Sequence, residues 1–188
     1  MVTLALLVLT QVSDVKLSAV TPEGSQRLTF SDVKGAHSVY FVLEPVKQKP
    51  LEGDEGFTRS RTLTVTHTLA GKQVWEAKDF VLDCRFDLTL DLLAKSIEVT
   101  DLDHDGEGEV SFAYTRGCKS DVSPLDLKLL VYRGATKYAL RGTTKVMVGR
   151  DPKGAPSVTG GEFKADFLGA PHALLEHAKD RWAQFVGP

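Results

Sequence analysis

Period-two alternation of apolar and polar residues most narrows what this chain can fold into. Leu63, Val65, His67 and Leu69 alternate with Thr62, Thr64, Thr66 and Thr68. Phe86, Leu88, Leu90 and Leu92 alternate with Asp87, Thr89 and Asp91, and Val110, Phe112 and Tyr114 with Ser111, Ala113 and Thr115. Successive side chains of a strand point to opposite faces, so these runs read as half-buried strands. Leu28 with Phe30, and Val39 with Phe41 and Leu43, mark two more. Leu127, Leu129 and Val131 run into a turn at Arg133-Gly134-Ala135, and Tyr138 and Leu140 run out of it. Ala70-Gly71-Lys72 turns the chain ahead of Val74 and Trp75. The pattern predicts a mainly β fold of the α+β class: an antiparallel sheet, sandwich or meander of about nine strands.

Two stretches interrupt it. Pro45, Pro50, Gly53 and Gly56 punctuate residues 44–60, and Gly149, Pro152, Gly154, Pro156, Gly160 and Gly161 punctuate residues 149–161. Both read as exposed loops. The last segment changes period: Leu174, Leu175, Ala178, Trp182 and Phe185 recur at three- and four-residue steps. Pro171 stands where a helix begins and Gly187 where it stops, so residues 171–186 form an amphipathic helix whose stripe packs on the sheet. The chain has 188 residues, which fits one β-rich domain over 13–188.

Residues 1–12 open with Leu4-Ala5-Leu6-Leu7-Val8-Leu9. This stretch is too short to cross a bilayer, which takes about 20 apolar residues, and no other segment approaches that length. It has the length of an export-signal core but lacks a preceding Lys or Arg, so it reads as a truncated signal or as a first strand. Net charge is −2 and no Lys/Arg cluster stands out, which argues against a nucleic-acid partner. Cys84 and Cys118 match no zinc spacing; they are either two buried thiols or one disulfide.

The sharpest local signal is Asp101-Leu102-Asp103-His104-Asp105-Gly106-Glu107-Gly108-Glu109. Asp101, Asp103 and Asp105 take positions one, three and five of a calcium loop, with Gly106 at six. Ca²⁺ takes six to eight hard oxygens at about 2.3–2.6 Å, and alternate side chains of a tightly curled loop converge on one point. Glycine at six permits the sharp turn that brings the next carbonyl, from Glu107, into the shell. Glu109 offers a further oxygen, and His104 points outward. Position twelve is Phe112, so the bidentate glutamate of an EF-hand is missing, and the flanks read as strands. The loop resembles the Asp-x-Asp-x-Asp-Gly hairpins of calcium-binding β proteins such as the FG-GAP repeats of integrin-type propellers. The five carboxylates carry −5 and the rest of the chain +3, so the acid is concentrated where a cation would screen it. The competing reading is a solvated turn whose Asp side chains cap their own backbone.

A wider resemblance rests on Ser96 to Asp103, Gly106, Glu109, Phe112, Tyr114, Cys118 and Asp121 to Pro124. It continues through Leu127 to Leu129, Tyr132, Gly134, Lys137 to Ala139 and Arg141 to Thr144, then Gly160 to Phe163, Pro171, Ala178 and Trp182. Over residues 75–185, with the pair Asp83-Cys84, this order is similar to small bacterial proteins named for surface polysaccharide biosynthesis. The resemblance implies an envelope-associated protein, periplasmic, secreted or at the cell surface, with a Cys84–Cys118 bridge. It implies no reaction.

No catalytic signature stands out: the chain lacks a Gly-x-Ser-x-Gly elbow, a His-Glu-x-x-His pair and a phosphate-binding glycine loop. His67 falls on an apolar strand face as a core residue, and His37 shows no partner. Arg133, Tyr138 and Arg141 flank one hairpin and are candidates for binding a sugar or an acidic group. The competing reading pairs Arg141 with a local carboxylate and buries Tyr138. The sequence therefore predicts a non-enzymatic exported envelope protein with one structural Ca²⁺ loop. Its expected partner is a surface polysaccharide or an envelope protein; the alternative is an accessory factor, or less readily an enzyme, of surface polysaccharide assembly. A binding module should present a shallow face with exposed aromatics, and a hydrolase a deep cleft with paired carboxylates.

Overall fold

A computed structural model describes residues 12–22, 24–53, 56–150 and 152–187. The expected signal or first strand falls on residues 1–11, outside the described residues. The chain builds β1 (Ser13–Leu17), β2 (Gln26–Asp32), β3 (Gly35–Leu43), β4 (Lys47–Pro50), β5 (Phe57–Leu69), β6 (Lys72–Cys84) and β7 (Asp87–Leu92). A 3-10 turn at Ala94–Ser96 precedes β8 (Glu98–Thr100), β9 (Glu109–Lys119), β10 (Asp126–Arg133) and β11 (Thr136–Thr143). Then come β12 (Val146–Arg150), β13 (Pro156–Thr159), β14 (Phe163–Asp166) and the helix α1 (His172–Phe185). No helix among the described residues is long and apolar enough to cross a membrane.

These strands form two antiparallel six-stranded sheets and a small β12–β13 hairpin. The first sheet runs β1-β2-β3-β5-β4, with β6 on the other edge of β5; the second runs β14-β11-β10-β9-β7, with β8 also on β9. The alternation read from the sequence sorts their side chains. Leu28, Phe30, Val39, Phe41, Leu63 and Val65 of the first sheet share one core with Val110, Phe112, Leu130 and Tyr132 of the second. The Phe41 and Phe112 rings meet edge to face at 5.2 Å, and Trp75 stacks on Tyr132 at 3.7 Å.

The intervening residues of the second sheet point the other way. Ala113, Leu127, Leu129, Val131 and Leu140 meet Leu174, Ala178 and Trp182 of α1 in a second core. The molecule is therefore three layers: sheet, sheet, helix. Pro171 precedes the first helical residue, as its missing N–H and fixed φ allow, and Trp182 Nε1 donates to the Gly161 carbonyl at 3.1 Å.

The strand count differs from the expected nine because several strands carry no burial alternation. All four residues of β4 are exposed, as are all of β1 and β14. β4 pairs with β5 through Lys47↔Ser60 to Pro50↔Phe57, inside the expected 44–60 loop, and β12–β13 occupies part of the expected 149–161 loop. Main-chain pairing makes these strands, and an apolar pattern does not register it.

Two cross-links join the sheets beyond their apolar contact. Cys84, ending β6, forms a disulfide with Cys118 of β9. Asp79 of β6, buried, accepts hydrogen bonds from Tyr114 Oη at 2.8 Å, Arg116 Nη1 at 2.8 Å and Lys128 Nζ. Burial opposes its charge, but these donors and the Phe80 N–H hold the carboxyl below its ordinary range.

Replacing both cysteines by Ala should lower unfolding free energy in urea by about 3–4 kcal/mol, the loop-entropy value for a 34-residue separation. Adding reductant to the wild-type protein should give the same loss.

Candidate metal centre

The acidic segment is a hairpin loop between β8 and β9. Thr100 pairs with Glu109, so residues 101–108 form the connection. His104 (φ 59°) and Gly106 (φ 84°) take the left-handed backbone that curls it, and His104 is exposed as expected. The loop uses its own carboxylates as internal caps: Asp101 Oδ2 accepts from the Gly106 N–H at 3.2 Å and Asp105 Oδ1 from the Glu107 N–H at 2.8 Å.

Three of the five expected ligands converge. Asp101, Asp103 and Glu109 each place a carboxylate oxygen within 4.8 Å of the other two. Each also has one oxygen, Asp101 Oδ1, Asp103 Oδ1 and Glu109 Oε1, that is buried without a hydrogen-bond partner among the described residues. Glu109 is 0% exposed. Its Oε2 accepts from the Leu102 N–H at 2.9 Å and the Thr100 hydroxyl at 3.2 Å, while Oε1 is left bare. Burial, with the neighbouring Asp103 charge, pushes this carboxyl up to about 7.

The other two expected ligands turn elsewhere. Asp105 Oδ2 accepts from Arg133 Nη2 at 2.6 Å, and the Glu107 side chain pairs with Lys34 at 3.0 Å. Arg133 also meets Asp103 Oδ2 through Nε at 2.7 Å, so this expected ligand-binding arginine serves the loop as a counterion. Against five carboxylates stand two cations, Arg133 and Lys34, which leaves −3 with all five ionised. Three hard oxygens with bare lone pairs and residual negative charge suit a divalent cation that prefers oxygen. Tyr138 is buried and stacks on Phe167 at 5.4 Å, and Arg141 lies 3.5 Å from Asp166.

Sequence reasoning missed what holds the loop in place. The β2–β3 turn docks against it: Asp32 Oδ2 accepts from the Gly108 N–H at 2.9 Å, and the Val33 N–H donates to the Gly106 carbonyl at 3.1 Å. Gly108 is required by this contact, since a Cβ there would lie 2.7 Å from the Phe30 ring and 3.0 Å from Val99. Asp32 in turn meets His37 Nε2 at 2.9 Å through Oδ1, and His37 Nδ1 lies 2.8 Å from His67 Nε2. His37 therefore has two partners, both set by sheet register. In β2 and β3 Phe30 faces His37, and in β3 and β5 Val39 faces His67. Alternation could place both histidines inward but could not pair them.

The chain Asp32–His37–His67 borders a cavity of about 160 Å³, with Lys34, Glu107 and Gly108 on the loop side. Burial, reinforced by His37, pushes His67 down to about 4, so it is neutral at neutral pH. Burial works against the Asp32 charge, yet the donors from Gly108, His37 and Lys34 hold this carboxyl below its ordinary range. Compared with protein-family models, curated proteins and solved structures, the chain matches none of them.

Glu109 and His67 give the metal-free protein opposing pH dependences. Glu109, raised from 4.5 to about 7, contributes stability below 4.5 that is lost as pH rises towards 7. His67, lowered from 6.5 to about 4, contributes stability above 6.5 that is lost as pH falls towards 4. Glu109→Gln should leave the His67 slope unopposed. Urea unfolding in EDTA should then show stability climbing more steeply with pH than in the wild type between 4.5 and 6.5. Gly108→Ala should cost about 1–3 kcal/mol through overpacking against Phe30, measurable in the same titration.

Proposed function

We propose that the β8–β9 hairpin binds one structural Ca²⁺ ion in a non-enzymatic exported module of the bacterial envelope that engages a surface glycan or an envelope protein. The observation that carries the metal reading is Glu109: a fully buried carboxylate with a bare oxygen, within 4.8 Å of Asp101 and Asp103 oxygens. A buried carboxylate oxygen left without a partner is costly, and a cation facing one such oxygen on each of the three groups offsets that cost. Asp101, Asp103 and Glu109 would hold the ion, with carbonyls and water completing a six- to eight-oxygen shell.

Its position gives the ion a mechanical role. The loop belongs to the second sheet, and through Asp32, Val33 and Lys34 it carries the β2–β3 turn of the first. Fixing the loop therefore fixes one end of the sandwich. The Cys84–Cys118 disulfide suits an oxidising compartment, where calcium is abundant. The binding-module reading draws on the outer face of the first sheet, where Tyr40 (37% exposed) and Phe80 (49% exposed) stand among the Thr62–Thr68 hydroxyls.

Thermal unfolding in EDTA and in about 1 mM Ca²⁺ tests the metal reading. With a dissociation constant of about 0.1 mM, as in extracellular modules, linkage adds about 1.4 kcal/mol and raises the midpoint by about 3–6 °C. Asp101→Asn and Glu109→Gln should each abolish the rise while the metal-free protein stays folded. An unchanged wild-type midpoint sinks the proposal.

A further inference from the structure

A second site lies between the edge of the first sheet and the β10–β11 hairpin. Trp75 and Asp79 place β6 over β10, so β11 extends past the edge of the covering sheet. In the β10–β11 ladder Lys128 pairs with Arg141 and Tyr132 with Lys137. All four point to the side where Leu130 and Tyr132 meet the first sheet. A cavity of about 220 Å³ opens there, with Lys128, Lys137 and Arg141 on the hairpin side and Glu76, Lys78 and Asp79 on β6. In a chain of net charge −2 these six residues carry an excess of +2.

The cations are not spent on one another's neighbours. Lys128 uses one of its three donors on Asp79, which the Tyr114 hydroxyl and Arg116 also hold, so its ammonium is positioned before any ligand arrives. The Lys137 side chain makes no hydrogen bond or ion pair among the described residues, and that of Arg141 has only the exposed Asp166 at 3.5 Å. Lys137 and Arg141 stand four residues apart on one strand, roughly 13 Å, so two anionic groups can be met at once. The Glu76 side chain also makes no hydrogen bond or ion pair among the described residues, which leaves an acceptor on the cavity lining.

We propose that this cavity binds a polyhydroxylated carboxylate of the uronate type, as a single acidic sugar or as part of an acidic oligosaccharide. The cations take the carboxylates and Glu76 accepts sugar hydroxyls. Glu76 repels any anion that comes close to it, so what sets the uronate apart from inorganic phosphate and from a simple dicarboxylate is its several sugar hydroxyls, which Glu76 can accept. The proposal deepens the reading of the chain as a binding module and rests on that reading, but it uses none of the metal-loop carboxylates.

Amide NMR shifts and calorimetry with trigalacturonate test it, with galactotriose, succinate, inorganic phosphate and oligo-glutamate as comparison probes. Trigalacturonate should move amides near Lys78, Leu130 and Lys137 to Arg141; galactotriose should not, and the other anions should bind about tenfold more weakly. Lys137→Ala with Arg141→Ala should weaken trigalacturonate about tenfold at an unchanged unfolding midpoint. Lys137→Ala alone serves if the pair unfolds. Glu76→Gln should weaken trigalacturonate and not succinate. Absent shifts at the cavity, equal binding of phosphate or succinate, tighter oligo-glutamate, or an indifferent double variant each overturn the proposal. Calcium moves amides 101–109 in the same spectra, so failure of the metal reading registers at different residues.

Discussion

Burial of the second sheet on both faces is the constraint from which the rest of this molecule follows. β9 is buried from Glu109 to Thr115, and β10 from Leu129 to Tyr132, because one set of side chains meets the first sheet and the other meets α1. Apolar area removed from water on two sides of one strand pair supplies most of the driving force. It also sets a condition. Any charged group buried on these strands, or buried against them from the first sheet, sits in low dielectric and must find partners or change its protonation.

Asp79 and Glu109 meet that condition in opposite ways. Asp79 collects Tyr114, Arg116, Lys128 and a main-chain N–H, so its charge persists and ties β6 to β9 and β10. Glu109 begins β9 with two donors on one oxygen and none on the other. Burial then favours the protonated form unless a cation comes to it. One carboxylate is complete within the protein and the other is incomplete, and the incomplete one lies beside Asp101 and Asp103. The basic cavity near Asp79 is the complement: there the saturated carboxylate leaves surplus cations on the hairpin.

The same layering couples distant parts of the chain. The acidic loop is local in sequence, yet its backbone is held by Asp32 and Val33, more than seventy residues earlier, and its charge is partly offset by Lys34 and Arg133. Gly108 is the point of closest approach, where the Phe30 ring leaves no room for a Cβ. Loop, turn and histidine chain form one continuous hydrogen-bonded unit across the mouth of the sandwich.

The residues of the chain by themselves determined the elements whose side chains alternate or recur in burial. Val110-Phe112-Tyr114, Leu127-Leu129-Val131 and the stripe Leu174, Ala178, Trp182 appear in the amino-acid order because water sorts side chains by period. The Asp101-x-Asp103 spacing and the Gly106 turn were legible for the same local reason. Tertiary structure alone decided the rest. β4 has no apolar face, β14 offers only Phe163 and Ala165 among four exposed residues, and both strands exist through main-chain pairing. Asp105 and Glu107 turn away from the Asp101, Asp103 and Glu109 cluster because Arg133 and Lys34 come within reach. His37 met His67 because β3 and β5 share a register. Such pairings depend on where remote backbone segments lie in space, and a linear pattern carries only what each residue prefers, not what will stand opposite it.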